Sequence, residues 1–276
     1  MSEHTTTYQS FTAEDMSYTH RPVDGDRNFS SHIHDVCELI YVKKGDITYT
    51  AEGKAYNLGK NCLIITRPLM MHSITMNSHA TYERYNLLFD EKKLTTGIFE
   101  TLQPEMDIIH FDGNTLISDL FKKMDYYCEN FSGDYLKAIL IHLAEEVLYN
   151  VSLVSKSFEQ DNICTTNPLV LQAVSYVEQH LTESVSIHAL CEDLHITRNH
   201  LNNLFMKHLK VSPKQYILSK QLSLAQRELR AGAAPTEIYM NCGFADYSTF
   251  FKAYKRTFGH APSDEAYTKV IREIES

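Results

Sequence analysis

The segment Gly243-Phe-Ala-Asp-Tyr-Ser-Thr-Phe-Phe-Lys-Ala-Tyr-Lys-Arg-Thr-Phe-Gly-His-Ala-Pro262 holds a turn and a helix whose two faces differ in chemistry. Gly243-Phe244-Ala245-Asp246 is the turn, and Gly243 is free to adopt positive φ. From Tyr247 to Phe258 the period is helical, with Phe250, Tyr254 and Phe258 falling inward at i, i+4, i+8. The opposite face shows Tyr247, Ser248, Thr249, Phe251, Lys252, Lys255 and Arg256. Just upstream, Pro235-Thr236 opens a helix containing Ile238, Tyr239 and Cys242, so the segment closes a helix-turn-helix unit.

The same plan occurs once more, earlier in the chain. Ser186 can cap a helix with Ile187, Leu190, Cys191 and Leu194 apolar. His195-Ile196-Thr197 is a short turn, and Thr197 can cap the next helix. That helix, Arg198 to about Leu209, points Leu201, Leu204, Phe205 and Leu209 inward. Its other face carries Arg198, Asn199, Asn202, Asn203 and Lys207, groups that suit base edges and phosphates. Between the units, Ser212-Pro213 starts a longer helix over Lys214–Leu229, with Tyr216, Ile217, Leu222, Ala225 and Leu229 apolar. A rigid connector of this kind would let two helices enter successive major-groove segments about one DNA turn apart, roughly 34 Å.

Charge distribution points the same way. The 276-residue chain has a formal net charge of −9, which by itself argues against a nucleic-acid partner. Counted along the chain, residues 1–164 carry −10, residues 165–276 carry +1, and residues 197–258 carry +7. The basic stretch coincides with the two units and reads as a phosphate-facing patch; a solvated helical surface is the plainer alternative.

Residues 243–262, with His200-Leu-Asn-Asn-Leu-Phe205 and Ser212-Pro213-Lys-Gln-Tyr216 upstream, resemble the signature of AraC/XylS-type transcriptional regulators over about 100 residues. The resemblance implies an all-α, seven-helix domain with two helix-turn-helix motifs that binds double-stranded DNA. Thr197, Arg198, Asn199, Asn202, Asn203, Lys207, Tyr247, Ser248, Thr249, Phe251, Lys252, Lys255 and Arg256 are the expected DNA-binding residues. Asn199, Asn202 and Asn203 are expected to read bases in the first unit, and Ser248 and Lys252 in the second. Arg198, Lys207, Lys255 and Arg256 are expected to meet phosphates. The chain departs from the family pattern at Lys210, where Gly is usual, at Gln221, where Arg is usual, and around Ile238-Tyr239-Met240.

The N-terminal half is β-like from about His34 to Leu88. Cys37–Val42, Asp46–Thr50, Cys62–Thr66 and Glu83–Phe89 are expected strands, spaced as in a small barrel or sandwich. Lys43-Lys44-Gly45-Asp46 reads as a hairpin turn and Asn57–Asn61 as another turn. Helices follow, one with Leu116, Leu120, Met124 and Tyr127 on a single face. A second, strongly apolar one carries Leu136, Ile139, Leu140, Leu143, Val147 and Val151. Residues 152–168 lose periodicity and end at Pro168, as an interdomain linker would. The expected division is residues 1–151, a linker over 152–168, and residues 169–276.

His32-Ile-His34-Asp-Val-Cys-Glu38-Leu-Ile-Tyr-Val-Lys-Lys-Gly45, with Pro68 and His72, resembles the cupin-like sensor barrel of many such regulators. The resemblance implies a small-molecule effector, a sugar or other metabolite, bound in the barrel, and a homodimer contact through Tyr135–Val151. RNA polymerase would be a partner of an activator. His32, His34, Glu38 and His72 stand as effector-contacting groups, as structural hydrogen-bonding groups, or as the three-His, one-carboxylate set by which metal-binding cupins hold Fe, Mn, Ni or Zn. Pro68-Leu-Met-Met-His72 lacks the expected Gly and is one residue short, so no metal or other cofactor is expected. A metal-dependent cupin enzyme is the alternative. GxSxG, P-loop and GxGxxG templates are absent, so no catalytic residue is expected. The six cysteines form no CxxC pair and read as reduced, mostly buried thiols. The polar N-terminus, and the lack of an apolar run near 20 residues, give a cytoplasmic expectation.

Overall fold

The computed structural model describes residues 8–13, 15–23, 28–104, 107–111, 115–153 and 163–267. Ten strands come first in the chain: β1 (Gln9–Thr12), β2 (Met16–Val23), β3 (Phe29–His32), β4 (Cys37–Lys44), β5 (Ile47–Ala51), β6 (Lys54–Leu58), β7 (Cys62–Thr66), β8 (His72–Met76), β9 (Tyr82–Phe89) and β10 (Ile108–His110). A short helix, α1 (Ile98–Thr101), lies between β9 and β10, and α2 (Leu116–Asn130) and α3 (Gly133–Leu153) follow. One last strand, β11 (Ile163–Thr166), precedes the C-terminal helices. The strands form two sheets, ordered β1-β2-β9-β4-β7-β10 and β11-β6-β5-β8-β3.

The six-stranded sheet is buried on both faces. Leu39, Tyr41, Leu63, Ile65, Tyr85 and Leu87 pack under α2 and α3, while Ile40, Val42, Cys62 and Ile64 meet Ile47, Tyr49, Leu58 and Ile74 of the other sheet. Double burial explains why β4 and β7 read as unbroken apolar runs rather than alternating ones. On α2, Leu120 and Met124 are buried and Tyr127 is half-buried as expected, whereas Leu116 is exposed and Ile117 and Phe121 complete the buried face. On α3, Leu136, Leu140, Leu143, Val147 and Val151 are buried as expected.

The expected hairpin at Lys43–Asp46 is not one. β4 and β5 belong to different sheets, so this turn carries the chain across the barrel. Gly45 is needed there because a Cβ would lie 2.8 Å from the Tyr82 ring. The tight hairpin joins β5 to β6, through Glu52 (φ 47°) and Gly53 (φ 81°), with Ala51 paired to Lys54. Two successive positive φ angles are the signature of a type I′ turn.

Most of the expected linker, residues 154–162, lies outside the described residues; its distal end forms β11 and pairs with β6. Helices α4 (Pro168–Gln179), α5 (Ile187–Asp193), α6 (Arg198–His208), α7 (Pro213–Arg230), α8 (Pro235–Ile238) and α9 (Tyr247–Phe258) then lead to a 3-10 turn at Pro262–Tyr267. They build two cores. One joins α4, α5, α6 and the start of α7; the other joins the end of α7 to Ile238, Cys242, Phe244, Phe250 and Tyr254. A single connector thus serves both units, as its two apolar segments predict.

Candidate nucleic-acid interface and sensor site

Each unit presents one capped helix to solvent. Thr197 caps α6, accepting from the His200 amide at 3.2 Å. Arg198, Asn199, Asn202, Asn203 and Lys207 are all exposed along it, while Leu201, Leu204 and Phe205 are buried. Asp246 caps α9, accepting from the Thr249 amide at 2.8 Å and the Thr249 hydroxyl at 2.7 Å. Ser248, Lys252, Lys255 and Arg256 are exposed. Four of the expected DNA contacts are partly engaged within the protein, Thr197 among them through its cap. Tyr247 is half-buried against Tyr239 and Phe250, and the Thr249 hydroxyl serves the cap. Phe251 is half-buried beside Tyr247.

The turns differ. In the first unit His195 takes positive φ (53°) without being glycine. In the second, Gly243 (φ 80°) is enforced by crowding, since a Cβ would lie 2.2 Å from Gln221 Nε2 and 2.5 Å from the Glu183 carbonyl. Gln221, in the family's arginine position, donates to the Gly243 carbonyl at 3.2 Å and so ties α7 to this turn. Lys210, in the family's glycine position, sits at φ 60°. That left-handed backbone is what glycine would accommodate without cost.

Three basic residues of α7, Lys220, Arg227 and Arg230, face the barrel half, while Lys214 is exposed. Lys220 is buried and donates to Glu52 Oε1 (2.9 Å), to the Leu69 carbonyl (2.8 Å) and to Glu178 (3.1 Å). Tyr216 donates to the other Glu52 oxygen. Arg227 meets Glu91 at 2.7 Å, and Arg230 pairs with Asp35 and Glu265. Glu52, Glu91 and Asp35 all belong to the barrel half. The Ser31 hydroxyl donates to the Leu209 carbonyl at 2.6 Å, and Met71 packs into the core of the first unit. Gly53 abuts Val170 so closely that a Cβ would come within 2.6 Å of it.

Inside the barrel the structure gathers His32, His34, His72 and Glu38. His32 and His72 are register partners on β3 and β8. The three imidazoles place a ring nitrogen each within 4.8 Å of one another. Glu38 Oε2 lies 3.1 Å from His72 Nε2 and 3.5 Å from His34 Nε2, without hydrogen-bond alignment. Burial opposes ionisation of Glu38, yet the two histidines overcome it and hold the carboxyl well below the usual range. Burial, reinforced by His72, pushes the His32 imidazole down to about 4. The adjoining cavity, lined by Thr19, Arg84, Asn86, His32, Glu38 and His72 among others, measures about 20 Å³. That is room for one water or ion, not for a metabolite.

Known families match both halves in the same order. A model of the AraC-like ligand binding domain matches residues 17–111, which span β2 to Phe111, and a helix-turn-helix domain model matches residues 190–266, which span α6 to α9. The chain belongs to the AraC-type transcriptional regulators. Similar relatives include the HTH-type transcriptional activator RhaS of Escherichia fergusonii, 24% identical over 269 residues (92% of this chain, 93% of the relative). RhaS of Salmonella schwarzengrund is 24% identical over 247 residues (86% and 87%). Among solved structures, ToxT of Vibrio cholerae O395 aligns at 14% identity and TM-score 0.39, covering 94% of this chain and 100% of that one. The Schizosaccharomyces pombe Cnp3 cupin domain aligns at 11% identity and TM-score 0.29, covering 31% and 64%.

In this AraC-type regulator the inward-facing residues are the ones sequence reasoning missed. Lys220 lies four residues after Tyr216, on the apolar stripe of α7, and a lysine in such a stripe signals a buried partner. Glu52 gives no comparable local signal. Among the described residues no helix is long and apolar enough to cross a membrane. Cys37, Cys62 and Cys242 are buried thiols, and burial pushes Cys62 up to about 12.

Proposed function

We propose that this regulator reads a specific DNA site through α6 and α9, acts as a homodimer in the cytoplasm, and is controlled by a ligand inside the barrel. The supporting observation is the pair of capped helices of one plan. Their exposed faces carry Asn199, Asn202, Asn203 and Arg198 on α6, and Ser248, Lys252, Lys255 and Arg256 on α9. Asparagine pairs bidentately with adenine, and the lysines and arginines neutralise phosphates.

Tyr247, Thr249 and Phe251 act at the edge of this surface, where they position α9. Dimer contact runs through α2 and α3, whose outer surface shows Tyr126, Tyr135, Tyr149 and Leu153. The division at residues 152–168 separates the sensor from the DNA-binding domain, and the three barrel carboxylates on α7 give the sensor a route to the reader. The chain works through binding rather than catalysis, and activation would proceed by contact with RNA polymerase.

Selection from a randomised duplex pool tests the reading. The full-length chain should enrich a motif with two half-turn blocks on one face of the DNA. Enrichment of no motif, with equal binding to scrambled DNA, would sink it.

A further inference from the structure

We infer that the two units read DNA blocks of different composition: α6 reads A·T pairs, with Met206 against a thymine methyl, and α9 reads a block with guanine opposite Lys252. This rests on the reading of α6 and α9 as DNA-reading helices and names the duplex that each one fits.

The two helices share one register, which makes their faces comparable position by position. Thr197 and Asp246 each accept from the amide three residues on, that of His200 at 3.2 Å and that of Thr249 at 2.8 Å. With the caps matched, Leu201 falls with Phe250, Leu204 with Ala253 and Phe205 with Tyr254, and all of these are buried. The outer stripes then correspond as well: Asn199 with Ser248, Asn202 with Phe251, Asn203 with Lys252 and Met206 with Lys255. Lys207 and Arg256 also match, so both helices keep a cation in the last turn for phosphate. Between cap and cation the chemistry parts. One stripe is three amides and a thioether, uncharged throughout; the other is a hydroxyl, a half-buried ring and two lysines.

Asparagine is a poor helix former, because its amide competes for backbone groups. On the sensor helices the exposed Asn130 and Asn150 side chains do so, donating to the Tyr126 and Glu146 carbonyls at 2.6 and 2.7 Å. Asn199, Asn202 and Asn203 are exposed, and their amides make no hydrogen bond among the described residues. Each therefore offers a donor and an acceptor side by side, which adenine N6 and N7 complement in the major groove. Met206 is 47% exposed in the same stripe. Its counterpart Lys255 is charged and reaches phosphate, whereas a thioether there finds its apolar partner in a thymine methyl. On α9, Lys252 stands where Asn203 stands on α6. An ammonium donates and never accepts, which matches the paired O6 and N7 acceptors of guanine. Neither base of an A·T pair presents two acceptors in the major groove.

The test uses the full-length chain and the duplex selected from the randomised pool. Asn203→Ala, at an exposed position, marks the block that α6 reads by the base pair at which preference relaxes, and that pair should be A·T. There 7-deazaadenine, which lacks the N7 acceptor, should weaken wild-type binding about fivefold and leave Asn203→Ala unaffected. Deoxyuridine in place of thymine should cost the wild type about fourfold at one position of this block, as loss of one buried methyl requires, and cost Met206→Ala nothing. In the other block, 7-deazaguanine should weaken the wild type and spare Lys252→Ala. A G·C pair at the marked position, no marked position, or equal loss with 7-deazaadenine in both proteins overturns the assignment of α6. Deoxyuridine without effect on the wild type, or with equal effect on Met206→Ala, overturns the role of Met206. The same outcomes with 7-deazaguanine and Lys252→Ala overturn the assignment of α9. A pool that yields no motif sinks the regulator reading itself, whereas a motif of the wrong base composition sinks only the assignment of bases to helices.

Discussion

The basic residues of α6 and α9 and three of those on α7 lie in one +7 stretch of sequence but face opposite ways. Arg198, Lys207, Lys252, Lys255 and Arg256 stand in solvent on the outer faces of the two units. Lys220, Arg227 and Arg230 are taken up by Glu52, Glu91 and Asp35 of the barrel half. Net charge along a sequence therefore overstates the field offered to DNA, because three of the ten positive charges are neutralised by the acidic sensor. The same three pairs give the −10 of the sensor half a structural purpose: it grips the DNA-binding domain.

Breaking the grip should have the largest effect. Lys220→Ala leaves the half-buried Glu52 beside Tyr216 with no cation, and removing the buried partner of such a pair costs about 3 kcal/mol. Calorimetry should then show two separated unfolding transitions where the wild type shows coupled ones. On the outer face the expected effect is on specificity. Asn203→Ala should relax preference at a single base position, by about 1 to 3 kcal/mol of discrimination, read by competition with single-base variants of the selected site. A change spread evenly over all positions would remove Asn203 from the base-reading set.

Two smaller effects compare the units themselves. Lys210→Gly relieves a left-handed backbone next to α6 and should raise stability by about 0.5 to 1 kcal/mol in chemical denaturation. Asp246 caps α9, and its bonds to Thr249 hold its carboxyl below the usual range. A depressed folded-state value stabilises above the unfolded-state value and is lost as pH falls through the folded one. Asp246→Ala should therefore lower Tm at pH 7, and the gap to wild type should close below about pH 4. A gap that stays constant down to pH 3 would show that the cap does not act through its charge.

Much of this was legible locally. The α9 helix and its Phe250–Tyr254 face, the Thr197 cap, and strands β4 and β7 all follow from period and residue type within a dozen positions. Strands β1 to β3 were not legible, because their exposed or polar positions dilute the alternation. Lys43–Asp46 has turn composition, but whether a turn joins strands within a sheet or between sheets depends on pairing elsewhere. The cluster of His32, His34, Glu38 and His72 was visible as a set of residues, whereas their convergence inside the barrel depends on the pairing of β3 with β8. The grip on α7 was the least legible feature, since Glu52 and Lys220 stand 168 residues apart.

The division between reading and gripping charges is tested most directly by the salt dependence of binding to the selected DNA site. In a plot of log affinity against log salt, Lys255→Ala should lower the slope by about 1, as loss of one phosphate contact requires. Arg227→Ala should leave the slope unchanged, whatever it does to affinity through docking. Equal loss of slope in both variants would contradict the account, because it would place Arg227 on phosphate rather than on Glu91.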